Sequence, residues 1–143
     1  MAIPDFHLLL LEDDPAMRDS LLRAAQEADV ASVRALQDGA DARAYFDELA
    51  EGRVADRRYP SLFLFRLDRR EGLDLLSWVR SRDTLRRLVA IGLIEPQDGQ
   101  WVGQAYDLHV NSCLVRPSGY AGQVELFQSL RRYWAQLNQA PGV

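Results

Sequence analysis

The 143-residue sequence contains no lysine: all seventeen of its basic residues are arginine, against twenty-one acids. Any site that elsewhere relies on a lysine must therefore use arginine here, or nothing. A single cysteine, Cys113, excludes an internal disulfide, and two distant histidines, His7 and His109, do not make a zinc site with it. No apolar run approaches the length that spans a bilayer, and Met1 to Leu11 lacks the basic start and long apolar centre of a secretory signal. The expectation is a cytoplasmic protein. Neither a glycine-rich phosphate loop nor a nucleophile–base pair is visible, so an enzyme is not expected.

What is present is ordinary for one domain with a proper core: 48% hydrophobic and 27% charged residues, expected as a single unit over 1–143 with its core from about 7 to 137 and a frayed tail from Gln139 to Val143. The charge is uneven. Residues 1–52 hold four arginines against twelve acids, residues 53–87 ten against five, and residues 88–143 three against four. The arginine-rich 53–87 segment gives a second functional alternative, weak nucleic-acid binding, but a chain of net charge −4 is not what a dedicated nucleic-acid binder presents.

Strand and helix patterns alternate along the chain. His7 to Leu11 is a short apolar run that ends in three acids, and Asp14-Pro15 then caps and starts a helix carrying Met17, Leu21, Ala24 and Ala28 at helical spacing. Ala31 to Leu36 reads as a second strand, and Asp38-Gly39 leads into a helix with Ala42, Tyr45, Phe46 and Leu49. Ser61 to Phe65 is the clearest buried strand, ending at Arg66, and Leu73, Leu76, Trp78 and Val79 mark the next helix. Leu88 to Ile94 is the fourth strand. Asp98 is the expected cap of a helix bearing Trp101, Ala105 and Leu108, Ser112 to Val115 is the fifth strand, and a last helix runs from Ser118. This alternation predicts an α/β fold, an open, doubly wound parallel sheet with its crevice beyond the carboxyl ends of the strands. Glu12, Asp13, Asp14, Arg66, Asp68, Gly92 and Arg116 are expected there.

In its order of motifs the chain resembles the receiver domain of bacterial response regulators. LLLLEDDP is similar to that family's first strand, acidic pair and proline-initiated helix, Gln37-Asp38-Gly39 to the turn before its second helix, and Arg116-Pro117 to the Lys-Pro after its fifth strand. The segment YDLHVNSCLVRP, from Tyr106 to Pro117, looks most like the small stand-alone regulators that accompany phytochrome-type kinases. The resemblance implies a flavodoxin-like sheet of order 2-1-3-4-5 with helices on both faces. It also implies a site in which an aspartate after the third strand accepts a phosphoryl group, an acidic pair binds Mg²⁺, and a lysine and a hydroxyl hold the phosphoryl oxygens while an aromatic on the fifth strand changes rotamer.

The departures are concentrated in that site. Glu12 and Asp13 match the metal pair, but the acceptor place falls on Arg66, the hydroxyl place on Gly92, the lysine place on Arg116 and the rotating aromatic on Cys113. Guanidinium has no electron pair to offer as a nucleophile. The loop after Arg66 is also about two residues shorter than the family's. The expected reading is a stand-alone pseudo-receiver of two-component signalling with no metal cofactor. In it, Arg66 pairs in two-pronged fashion with Glu12 or Asp13, and Arg116 neutralises the remaining charge. It would act on another signalling protein, a histidine kinase or response regulator, or on a second copy as a homodimer, with Trp101, Tyr133 and Trp134 as the candidate partner face. The first alternative is an active phosphoacceptor that uses Asp68 with Mg²⁺.

Overall fold

A computed structural model of the chain describes residues 6–52, 59–67 and 69–133; Asp68, Trp134 and the tail from Gln139 lie outside the described residues. Five strands, β1 (His7–Leu11), β2 (Ser32–Leu36), β3 (Leu62–Arg66), β4 (Ala90–Ile94) and β5 (Ser112–Val115), form one sheet in the order β2-β1-β3-β4-β5. Every pairing in it is parallel. Between and after them run α1 (Pro15–Glu27), α2 (Gly39–Ala50), α3 (Arg70–Arg80), α4 (Gln100–Asp107) and α5 (Tyr120–Leu130).

The unbroken leucines of β1 follow from this arrangement, since a central parallel strand is covered on both sides. Leu8 and Leu10 pack with Leu21, Ala24 and Ala25 of α1 and with Val124 and Phe127 of α5. Leu9 faces the opposite cluster, with Phe46 of α2, Leu76 of α3 and Ala105 of α4. Because β1 is flanked by β2 on one side and β3 on the other, successive crossovers leave in opposite directions from β1 and β3, and a crevice opens at their carboxyl ends. Glu12 and Asp13 follow β1 directly, and Arg66 closes β3.

Local chemistry sets most element ends. Asp14 caps α1 by accepting from the Ala16 N–H at 3.1 Å, and Asp38 caps α2 by accepting from Asp41 N–H at 2.8 Å. The expectation for α4 is corrected: Pro96 opens a 3-10 turn that runs to Asp98, so the helix begins after Gly99, where no side chain caps it. Likewise α5 follows Gly119 rather than Ser118, and β4 is two residues shorter at its start than the apolar run suggested. The uneven charge of the sequence is reconciled where α2 meets the end of α3. Arg82 bonds Asp47 at 2.8 Å, while Arg43 and Arg82 lie over the Trp78 ring at 5.8 and 4.8 Å. Arg82, from the basic middle segment, thus serves contacts within the protein.

Candidate functional site

Glu12 is drawn into the protein by the strand that precedes it: β1 is buried, and its pairing continues one residue further, with Glu12 N–H donating to the Leu36 carbonyl at 3.2 Å. Its side chain is 1% exposed. One carboxylate oxygen, Oε2, accepts from the Asp14 N–H at 3.1 Å and lies 3.7 Å from Arg66 Nη1. The other, Oε1, lies 3.7 Å from Arg116 Nη2, and Arg116 also donates to Glu95 Oε1 at 3.1 Å. Arg18 closes the turn from below by donating to the Glu12 carbonyl oxygen at 2.9 Å.

Asp13 is more open. Its Oδ1 lies 3.7 Å from the same Arg66 Nη1, and Arg69 grips both its oxygens, at 2.9 Å to Oδ2 and 3.1 Å to Oδ1. The two-pronged bond expected of Arg66 is therefore made by Arg69. Arg66, leaving the sheet at the end of β3, stands between the two acids with one nitrogen equidistant from both. Arg69 went unnoticed in the sequence because it lies past the strand in a loop; the only signal was its place directly before an acidic first helical turn. Glu95, the third acid of the cluster, was also missed.

The electrostatics of the two acids diverge. Burial pushes Glu12 above its usual carboxylate range, and the Asp14 N–H, Arg66 and Arg116 only partly oppose it. Burial also acts against ionisation of Asp13, but the Arg69 bond and charge, together with Glu12 and Arg66, outweigh it and hold Asp13 below its usual range. Arg69→Gln is expected to move the Asp13 titration, followed by carboxyl NMR, upward. Its effect on stability is expected to stay within about 1 kcal/mol, because the pair is solvent-exposed. An unmoved Asp13 titration would show that the pair carries no electrostatic weight.

As arranged, these donors do not suit a divalent cation. Magnesium needs at least one or two carboxylates free to approach it, the rest of its octahedron being largely water, whereas both Asp13 oxygens are taken by Arg69 and a guanidinium nitrogen stands 3.7 Å from each acid. Among the described residues, no group of three or more His, Cys, Asp or Glu is placed to hold a metal.

Other expected members of the site fall elsewhere. Gly92 does not follow β4 but lies inside it, paired with Phe65 and Cys113, and faces the buried Leu67; the strand ends at Ile94, which likewise carries no hydroxyl. Cys113 is half-buried in β5, where burial raises its thiol pKa, and its N–H donates to the Tyr106 hydroxyl at 3.2 Å. Trp101 is partly buried against the cluster under α2, α3 and α4, whereas Tyr133 is exposed beyond α5 on the other side of the sheet. The crevice widens toward α2 and α3 into a cavity of about 250 Å³, bordered by Asp13, Asp38, Arg66, Arg69 and Glu71.

No protein-family model matches the chain. In sequence it is similar to the probable methanogenesis regulatory protein FilR2 of Methanothrix harundinacea (strain 6Ac), at 29% identity over 140 residues, 96% of this chain and 88% of that protein. In structure it is similar to the cyanobacterial phytochrome response regulator RcpA in phosphorylated form, with a TM-score of 0.79 and 25% identity over 96% of this chain and 99% of that one. It also shares its fold with response regulator Rcp1, solved in a Mn(2+)-bound form, at a TM-score of 0.77 and 23% identity over 96% and 99% of the two chains. A sheet of this order, crossed by helices on both faces and carrying its acids after β1, is the fold of a response regulator receiver domain, and the structural neighbours of this chain are such receivers, phytochrome-associated regulators among them.

Proposed function

We propose that the chain is a receiver-type protein of two-component signalling that accepts no phosphoryl group, binds no magnesium, and works by binding another signalling protein or a second copy of itself in the cytoplasm. The observation that carries this reading is the position of Arg66. It occupies the end of β3, one nitrogen 3.7 Å from both Glu12 and Asp13, where a phosphoacceptor would need a carboxylate and its metal. Arg69 and Arg116 complete the charge balance with Glu95 as the third acid. A phosphorylation switch biases two populations, so a chain whose acceptor place holds a permanent cation keeps one of them regardless of kinase activity. The engagement of Arg66, Arg69, Arg80 and Arg82 within the protein weakens the nucleic-acid alternative.

The test is intact-mass measurement after incubation with acetyl phosphate or phosphoramidate and millimolar Mg²⁺. The expected result is an unchanged mass. A gain of one phosphoryl group, lost in Asp68→Asn, would overturn the proposal in favour of an active receiver using Asp68.

A further inference from the structure

The connection that carries Arg66 and Arg69 is held by packing as well as by charge. Beyond β3, pairing continues by one residue, the Leu67 N–H donating to the Leu93 carbonyl at 2.8 Å. The Leu67 side chain, fully buried, then turns over β4 at the one place where that strand has no side chain. A Cβ built on Gly92 would stand 2.7 Å from Leu67 Cδ1 and 2.9 Å from Leu67 Cβ. From the other direction the first turn of α3 presses on the same connection, where a Cβ on Gly72 would collide with the Arg66 carbonyl oxygen and lie 3.1 Å from Leu67 Cα. Three contacts thus hold Leu67 and the Arg66 backbone, and none involves a charge.

We infer that Leu67, seated over Gly92, is a packing latch that fixes the end of β3 between β4 and the start of α3, keeping Arg66 over Glu12 and Asp13 with or without a partner or phosphodonor. This rests on the non-phosphorylated reading above and adds how the single state is maintained. Moving the connection outward would draw a whole leucine into water and leave a void above Gly92, while moving it inward is blocked by Gly72 against the Arg66 carbonyl. Close-packed elements of this kind occupy discrete positions and do not slide. A corollary is that Arg66→Asp, which restores the charge of an acceptor, leaves the latch in place.

Hydrogen exchange of the full chain, read by mass spectrometry in EDTA without phosphodonor, tests this. Leu67→Ala is expected to speed exchange about tenfold in peptides covering 67–76 and the end of β4, with α1 and α5 following global stability only. Gly92→Ala, by forcing Leu67 out, gives the same local pattern. The double variant returns toward wild type because the new methyl enters the space that leucine vacates. If Leu67→Ala does not fold, Leu67→Val shows the same distribution at smaller amplitude. Uniform acceleration on both faces of the sheet, or additive effects in the double variant, would make Leu67 simple core filling and overturn the latch. Phosphoryl uptake by the native chain would instead overturn the functional reading and leave this exchange pattern intact.

Discussion

Replacing Arg80 by methionine is expected to lower the unfolding free energy by about 3 kcal/mol, roughly a 10 °C fall in Tm for a chain of this size. Arg80 is the last residue of α3, and its guanidinium donates to the carbonyl oxygens of His109 at 2.9 Å, Leu88 at 2.8 Å and Leu85 at 3.2 Å, and to Asn111 Oδ1 at 2.8 Å. Asn111 Oδ1 in turn accepts from the Ala90 N–H at 2.8 Å, where β4 begins. One side chain therefore joins the end of α3, the turn after it and the entries to β4 and β5. Burial disfavours its charge and pulls its pKa below the ordinary arginine value, so these bonds are what make the charge tolerable there. Methionine fills the stem but leaves several carbonyls without their donor. Arg80→Lys is expected to recover less than half the loss, because three donors on one nitrogen cannot reach groups spread around a planar fork. A Tm change below about 3 °C for Arg80→Met, measured by calorimetry, would mean that water replaces the guanidinium at little cost.

The fold was legible in the sequence because its signals were local and mutually consistent. Apolar runs such as Leu8–Leu10 and Phe63–Phe65, short and bounded by turn residues, suit strands covered on both faces, and Asp14-Pro15 and Asp38-Gly39 start helices by well-defined hydrogen-bonding chemistry. The errors arose where a neighbour in sequence competed with the expected one, as Pro96 did by drawing Asp98 into a 3-10 turn. At the site, the residues on strand ends were readable, since a strand fixes where its end points. The partner assignments were not, because a guanidinium on a long side chain reaches across loops: Arg69 in the β3–α3 connection captured Asp13, and Glu95 shared Arg116. The seat of Gly92 was misjudged for a different reason. Its role depends on Leu67, twenty-five positions away, and no periodicity records a contact between a missing side chain and a remote leucine.

Arg66→Met is expected to cost about 2 kcal/mol at pH 7, with the cost falling steadily as acidification from neutral pH protonates Glu12. At neutral pH the substitution leaves Glu12, 1% exposed, with Arg116 and the Asp14 N–H as its remaining electrostatic support. Glu12 already sits above its ordinary value of 4.5, mainly through burial. Its protonated form is therefore the one that folding favours, and the stability associated with it is fully present below the unfolded-state pKa and lost as pH rises through the folded one. Removing Arg66 lifts the folded pKa further, so the variant loses most where Glu12 must ionise and least where it is protonated and needs no cation. Asp13 contributes in the same sense: its folded pKa is depressed, partly by Arg66, and that contribution is present above the unfolded pKa and disappears as pH falls. Both acids thus make the penalty shrink in acid. Glu12→Gln combined with Arg66→Met is expected to be more stable at pH 7 than Arg66→Met alone, since a neutral amide in that position requires no counter-charge. Denaturant unfolding of the native chain and the two variants at pH 4 and pH 7 provides the comparison. A penalty independent of pH, or a double variant no better than the single, would mean that the arginine at the end of β3 is held there by packing and does not neutralise the acids beside it.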